Sequence, residues 1–136
     1  MKIVIDSNRV IASLLKEGTT REILYSRDIE FIAPEFVKEE IGKHKDDLIK
    51  KAGISIENFD ILLSLLFERI TLISQNEYAK HLNKLKIDIA DTKDIPYLAC
   101  CLATKSEGIW SHDPHFLEQK KVRIFTNKDL LDLYGS

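Results

Sequence analysis

The sequence predicts an α/β protein in which helices cover both faces of a mostly parallel sheet. Short apolar runs alternate with amphipathic helical patterns along the whole chain. No internal repeat and no Pro/Gly/Ser-rich linker divides the 136 residues, a length that is ordinary for one domain. We therefore expect one three-layer α/β/α domain over residues 1–136.

Five apolar runs predict the strands, at residues 2–5, 30–33, 70–73, 108–111 and 122–126. Each run contains at least one β-branched aliphatic residue, as strands prefer. Strands that are separated by helices are typical of βαβ units, whose sheets are parallel and buried on both faces.

Helical patterns fill the remaining segments, at residues 10–16, 19–25, 34–51, 57–69, 75–86, 94–104 and 128–133. Thr19 with Glu22, and Ser74 with Glu77, have the spacing of capping boxes. Ser55 is expected to cap the fourth helix.

Glycine and proline mark the predicted helix ends. Gly18 and Gly53 are expected to stop the first and third helices. Pro34 and Pro96 suit the first turns of the third and sixth helices, where proline is tolerated. Asp91 is a suitable N-cap for the helix that begins near residue 94.

Composition excludes several classes of protein. The longest apolar stretch, residues 61–67, is far shorter than the ~20 residues of a membrane span, and the N-terminus lacks a signal-peptide core, so we expect a soluble cytoplasmic protein. The adjacent Cys100 and Cys101 rule out a disulfide scaffold. A net charge of −2 disfavours a broadly basic nucleic-acid binder, but it is compatible with a nuclease that uses an acidic metal site.

Four acidic residues are expected at one edge of the sheet. Asp6 follows the first strand, and Asp113 comes shortly after the fourth. Asp94 lies in the opening turn of the helix before the fourth strand, and Glu40 lies on the helix after the second. In parallel sheets the working site lies beyond the carboxyl ends of the strands, where the strand order reverses.

Helical periodicity distinguishes the two adjacent glutamates. At about 100° per residue, one apolar stripe joins the positions Val37, Ile41, His44 and Leu48. Glu40 falls on the margin of this stripe and can lean into a cleft, whereas Glu39 falls opposite it and faces solvent.

A cluster of carboxylates calls for a cation. Like charges within about 4–6 Å repel and raise one another's pKa, so the empty cluster is unfavourable. A hard divalent cation such as Mg²⁺ removes this penalty and binds phosphate as well. It can also activate water for attack on a phosphodiester. Any single aspartate at a strand end is equally well explained as a turn or capping residue.

Four segments resemble the PIN domain family of metal-dependent ribonucleases, which includes the toxins of VapBC-type modules. KIVIDSN at 2–8 resembles the opening strand with its Asp, and PEFVKEEI at 34–41 resembles the segment with an inward glutamate. DTKDIPYLACCLA at 91–103 is similar to the aspartate-led helix, and WSHDPHF at 110–116 to the Ser/Thr-x-Asp after the fourth strand. Ser7 stands where many relatives have threonine, and it keeps the hydroxyl.

The resemblance implies a five-stranded parallel sheet in the order 3-2-1-4-5 and a metal-dependent endoribonuclease that hydrolyses RNA with Mg²⁺ or Mn²⁺. It also implies an antitoxin partner. The catalytic acids implied are Asp6, Glu40, Asp94 and Asp113. The metal ligands implied among them are Asp6, Asp94 and Asp113. The auxiliary polar residues implied are Asn8, Asp91 and Ser111.

Several side chains outside this set are further candidates for binding roles. His112 and His115 flank Asp113, but their spacing favours contact with substrate phosphate or solvent over metal ligation. Arg9, Arg21 and Lys93 could steer an RNA backbone, or they could be ordinary surface charges.

The helix predicted at residues 57–69 is apolar on most sides, so part of it must be covered. We expect a homodimer or a partner protein at this surface.

Two other classes of function remain at the level of sequence. One is a catalytically inactive interaction module with the same fold. The other is a phosphoacceptor receiver domain, which would need a second acid beside the first and a lysine at a strand end. Ser7 follows Asp6, and Lys128 lies one position into a helix, so the pattern disfavours the receiver domain.

Overall fold

The computed structural model describes residues 1–15, 18–85 and 93–134. The strands are Lys2–Ile5 (β1), Glu30–Pro34 (β2), Ile70–Ile73 (β3), Gly108–Trp110 (β4) and Arg123–Phe125 (β5). The helices are Ser7–Leu14 (α1), Gly18–Leu24 (α2), Phe36–Lys43 (α3), Lys45–Ala52 (α4), Ile56–Phe67 (α5), Gln75–Leu85 (α6), Ile95–Thr104 (α7) and Asn127–Tyr134 (α8). A short 3₁₀ helix covers Pro114–Glu118.

The five strands form one parallel sheet in the order β3-β2-β1-β4-β5, which confirms the predicted fold class. The chain leaves β1 toward β2 on one side and later returns to β4 on the other. The strand order therefore reverses between β1 and β4, where an α/β sheet opens a crevice at its carboxyl edge. The order also argues against a receiver domain, whose sheet runs 2-1-3-4-5.

The core lies on both faces of the central strands. Ile3, Val4 and Ile5 of β1 are completely buried, as expected for a parallel strand with helices on both sides. Trp110 is also completely buried, and its ring packs 5.2 Å from that of Phe31 on the adjacent half of the sheet. These contacts fix the positions of β1 and β4, from whose ends the site residues project.

The first helix begins earlier than the sequence pattern predicts. Asp6 has an extended backbone (φ −79°, ψ 152°) and occupies the N-cap position, so α1 begins at Ser7 rather than at residue 10. The strand thus passes into the helix with one intervening residue. This tight connection holds Asp6 at the mouth of the crevice.

The predicted long helix over residues 34–51 is wrong in two respects. Pro34 belongs to β2, and the helical segment is broken into α3 and α4 at His44 (φ −109°, ψ 10°). Because of this break, His44 is exposed instead of lying in the apolar stripe. The other three stripe positions, Val37, Ile41 and Leu48, are buried as predicted.

The helix caps agree in part with expectation. Ser55 accepts a hydrogen bond from the amide of Asn58 at 3.1 Å, and Gly53 ends α4 in the left-handed region (φ +67°). Thr19 lies inside α2 and is not its N-cap. The N-cap position of α7 is occupied by Asp94, whereas the predicted cap, Asp91, lies outside the described residues.

Helix α7, next to the site, is largely buried. It carries Cys100 and Cys101, which are free, buried thiols. Burial raises the pKa of each thiol to about 12, which makes both cysteines unreactive. Among the described helices, none is both long and apolar enough to cross a membrane.

Candidate metal centre

Asp6 is the central residue of the site. It follows β1 directly, and its backbone amide donates to the carbonyl of Trp110 at 3.1 Å, which joins the ends of β1 and β4. Its side chain is only 5% exposed, an unusual environment for a carboxylate. The hydroxyl of Ser7 donates to Asp6 Oδ1 at 3.4 Å.

Ser111 connects Asp6 to the segment that carries Asp113. Its Oγ donates to Asp6 Oδ2 at 2.8 Å, and it accepts from the backbone amide of Asp113 at 3.0 Å and from Asn8 Nδ2 at 3.3 Å. One buried hydroxyl therefore fixes three residues that the sequence suggested for the site. The backbone beyond β4 is held against the end of β1.

Glu40 faces the same crevice from α3. It is half-buried, whereas Glu39 is exposed, as helical periodicity predicts. The buried hydroxyl of Tyr97, on α7, donates to Glu40 Oε1. We call Asp6 and Glu40 the hydroxyl-bound pair, because serine and tyrosine hydroxyls donate to their carboxylates.

A second group of ligand atoms lies on the segments that flank α7 and β4. One ligand atom from each of Asp94, Asp113 and His115 lies within 4.8 Å of the other two. We call these three residues the close-spaced group. Asp6 is not a member of it. The close-spaced group therefore contains two of the three predicted metal ligands and a histidine that the sequence pattern did not favour as a ligand.

Asp113 is positioned by the 3₁₀ helix that follows it. It occupies the N-cap of that helix, and its Oδ1 accepts from the backbone amide of His115 at 3.0 Å. The ring of His115 turns back toward the same oxygen, with Nδ1 at 3.3 Å. Pro114 at the start of the helix has a fixed φ, which favours this tight turn.

Burial and mutual repulsion both affect the carboxylates. Burial raises the pKa of Asp6 to about 6, and the nearby charges of Glu40 and Asp113 add to the rise, while the hydrogen bond from Ser111 opposes it. Burial also raises the pKa of Glu40, against the opposing effects of the Tyr97 hydroxyl and of Lys93. The acids therefore converge closely enough to repel one another.

Asn127, at the start of α8, links several elements near the site through the hydrogen bonds of its side chain. Its Oδ1 accepts from Trp110 Nε1 at 2.8 Å and from Arg9 at 3.5 Å, and its Nδ2 donates to Thr20 Oγ1 at 3.0 Å. Arg9 also donates to the Asn8 side chain at 3.1 Å. No sequence pattern indicates this role of Asn127, because its partners are distant along the chain.

Two of the three cations considered either for steering RNA or as ordinary surface charges make structural contacts. Arg9 is buried. Arg21 donates to the carbonyls of Ser13 and Leu14 at the C-terminal end of α1, where a cation stabilises the helix. Lys93 is exposed and close enough to Glu40 to lower its pKa, so it alone of the three remains at the rim of the site.

Sequence reasoning missed Tyr97 as a site residue and disfavoured His115 as a metal ligand. Tyr97 lies three residues after Asp94, and this spacing placed both on one face of α7, so helical periodicity could have identified it. His115 depends on a 3₁₀ helix that no periodic pattern indicated. Asp91, the third predicted auxiliary residue, lies outside the described residues.

The donor set of the close-spaced group fits a divalent cation. Two carboxylates and one imidazole are ligands for Mn²⁺ and other first-row transition ions, and carboxylates also bind Mg²⁺. Asp94 is buried at the N-cap of α7 without capping the helix through its side chain. One ligand atom of its carboxylate lies within 4.8 Å of a ligand atom of each of the other two members of the group.

Comparison with known proteins adds two findings. A family model described as "PIN domain" matches residues 4–126. Among solved structures, the chain is similar to VapBC2 from Rickettsia felis, which was crystallised bound to a DNA fragment from its promoter. The TM-score is 0.69 at 13% identity, over 93% of this chain and 98% of that chain, so this likeness concerns the fold. No curated protein matches the chain.

Proposed function

Because the chain belongs to the PIN domain family, we propose that it is a metal-dependent endoribonuclease that hydrolyses RNA phosphodiesters. The observation that carries the proposal is the convergence of acids at the reversal of the strand order. Asp6, Glu40 and Asp113 are close enough for their charges to interact, although they come from three distant segments. An energetically unfavourable cluster of this kind is accounted for by a function that uses a cation.

We assign the catalytic site to Asp6, Glu40, Asp94 and Asp113, with Mg²⁺ or Mn²⁺ held by Asp6, Asp94 and Asp113. Such an ion, when bound, supplies an activated water and offsets the charge that develops on the phosphodiester. Ser111 keeps Asp6 oriented toward the crevice, and Asn8 supports Ser111 from the other side.

The raised pKa of Asp6, one member of the hydroxyl-bound pair, links metal binding to the release of a proton. Because burial raises the pKa of Asp6 to about 6, a proton is held on this carboxyl in mildly acidic solution when no cation is present. A cation must displace that proton, so the affinity of the site for metal is expected to increase with pH. Tyr97 remains a hydrogen-bond donor throughout, because its own pKa is raised by burial and by the charge of Glu40.

An RNA cleavage assay tests the proposal. The purified protein is expected to cut single-stranded RNA in the presence of Mn²⁺, and Asp6→Asn should abolish the cutting. Glu40→Gln should reduce the rate at least tenfold, whereas Glu39→Gln, the exposed neighbour on the same helix, should leave it unchanged. Equal cleavage by the wild type and Asp6→Asn would mean that the activity is a contaminant.

A partner protein is the second part of the proposal. One solved structure with a similar fold is that of VapBC2, and α5 presents Ile61 and Leu65 at 59% and 46% exposure beside the half-exposed Tyr25. An exposed apolar surface of this kind is typical of an interface. We assign this surface to a homodimer contact. We also propose that the chain is the toxin of a toxin–antitoxin pair, with an antitoxin as its further partner and cytoplasmic RNA as its substrate.

Sedimentation tests the assignment of the α5 surface. The wild type should sediment as a dimer, and Ile61→Ser with Leu65→Ser should sediment as a monomer. Leu133→Ser, at an equally exposed leucine on α8, is the matched control and should remain dimeric. A monomeric wild type would contradict the dimer.

One observation favours the alternative, an interaction module without catalytic activity. Hydroxyls donate to both members of the hydroxyl-bound pair, so the fold can accommodate these acids without a cation. Such a module would gain no stability from divalent ions, whereas a nuclease site would. Metal titration therefore separates the two functions.

A further inference from the structure

His115 is placed at the acidic site by the same turn that positions Asp113. Its backbone amide donates to Asp113 Oδ1, and its ring nitrogen Nδ1 lies 3.3 Å from that oxygen. The ring also belongs to the close-spaced group, in which the ligand atoms lie within 4.8 Å of one another. The turn therefore brings a ring nitrogen next to a carboxylate oxygen of the candidate site.

We propose that His115 is a nitrogen ligand of the metal bound by Asp94 and Asp113, and that it gives the site a preference for Mn²⁺ and related transition ions over Mg²⁺. This inference rests on the metal site of the proposed function and adds to it the choice of ion. Mg²⁺ prefers oxygen ligands, whereas imidazole binds transition ions well.

The geometry of the close-spaced group supports ligation of one ion by all three residues. Two donors that each lie about 2.1 Å from an ion are about 3.0 Å apart in adjacent octahedral positions and at most about 4.2 Å apart in opposite ones, so donors within 4.8 Å of one another need to approach by at most about 1.8 Å. The side chain of His115 is 59% exposed and that of Asp113 is 30% exposed. Neither side chain is deeply buried, so both can make this movement.

A role as a simple orienting partner of Asp113 is the competing explanation. In that role Nδ1 of His115 would keep its proton and donate it to Asp113, and the imidazole would remain outside the coordination sphere. The two explanations differ in one measurable property, which is a direct bond between the metal and a nitrogen atom.

Spectroscopy of bound Mn²⁺ tests this bond. Pulsed electron paramagnetic resonance of the Mn²⁺-loaded protein should detect coupling to a histidine ¹⁴N nucleus. The coupling should disappear in His115→Gln and persist in His112→Gln. His112 is a matched control because it lies in the same segment, where its Nε2 accepts from the amide of Asn127. Coupling that survives in His115→Gln would overturn the inference.

Calorimetric titration with each ion tests the selectivity. His115→Gln should bind Mn²⁺ on the order of 10–100-fold more weakly while its affinity for Mg²⁺ changes by less than about threefold. His115→Asp, which supplies an oxygen ligand instead, should strengthen Mg²⁺ binding and lower the ratio of Mn²⁺ to Mg²⁺ affinity. An equal loss for both ions in His115→Gln would contradict a specific nitrogen ligand.

The outcomes separate this inference from the proposed function. If the wild type binds Mn²⁺ at the acidic site but without nitrogen coupling, His115 is not a ligand and the nuclease proposal is unaffected. If the wild type binds neither ion, both proposals fail. Circular dichroism of each variant checks that the exposed substitution has left the fold intact.

Discussion

The two halves of the site are built by different means. The hydroxyl-bound pair is positioned by regular elements, with Asp6 between β1 and α1 and Glu40 on α3, and its carboxylates accept from Ser111, Ser7 and Tyr97. The close-spaced group instead lies at the start of α7 and in the turn after β4. The fold therefore orients the first half through hydroxyl donors, whereas we expect a bound cation, which Asp6 also helps to hold, to complete the second.

The largest expected effect is the loss of stability on metal removal, and it should differ between variants of the two halves of the site. At a Mn²⁺ concentration 100-fold above its Kd, the ion should stabilise the wild type by about 2.7 kcal/mol. Asp113→Asn, in the close-spaced group, should lose most of this gain, whereas Glu40→Gln in the hydroxyl-bound pair should keep at least half of it. Thermal unfolding with and without a chelator measures the difference.

Glu39→Gln is the control for this comparison and should respond to Mn²⁺ as the wild type does. Equal losses in Asp113→Asn and Glu40→Gln would show that the two halves act as one. No stabilisation of the wild type would favour the interaction module.

The next effect is a pH dependence that belongs to Asp6. The folded state holds this proton up to about pH 6, whereas the unfolded carboxyl releases it near its ordinary pKa of 3.8. Asp6 therefore contributes stability below about pH 4 that is lost as the pH rises through 6. Asp6→Asn cannot ionise, so without metal it should be more stable than the wild type by roughly 2 kcal/mol at neutral pH, after allowance for a weakened hydrogen bond.

Urea unfolding with a chelator at about pH 4 and about pH 7.5 measures this effect. The two proteins should have similar stability at the lower pH and diverge at the higher one. A wild type whose stability relative to Asp6→Asn does not depend on pH would show that the carboxylate is well tolerated without a cation.

The smallest effect concerns Tyr97. Tyr97→Phe removes the hydroxyl that donates to Glu40 but keeps the ring, which packs edge-on against Phe36 and Phe116. We expect a loss of about 1 kcal/mol in the free energy of unfolding, with the stabilisation by Mn²⁺ unchanged. Urea unfolding with and without Mn²⁺ measures both quantities. A lost response to Mn²⁺ would instead link Tyr97 to the close-spaced group.

The strands were predictable from sequence because buried parallel strands are short apolar runs, and all five observed strands overlap the predicted ones. The helix ends were less predictable. The amphipathic stripe continues through His44 and does not indicate the break, although Gly42, a poor helix former, lies two residues before it.

The residues of the candidate site also differ in how well the sequence predicts them. The four acids follow recognisable strand or helix signals, so their convergence could be anticipated, whereas His115 depends on a turn without periodicity. Ser111 was anticipated, but its contacts with Asp6, Asn8 and Asp113 join residues up to 105 positions apart and required the structure.

The two deeply buried thiols of α7 make this chain well suited to single-site labelling. Because Cys100 and Cys101 are the only cysteines in the sequence and neither is accessible, a cysteine introduced on the surface would be the sole target for a maleimide dye. Leu117, 69% exposed on the 3₁₀ helix beside His115, is a natural position for it. A fluorophore there would test in real time whether that turn responds to added Mn²⁺, without first mutating the native cysteines.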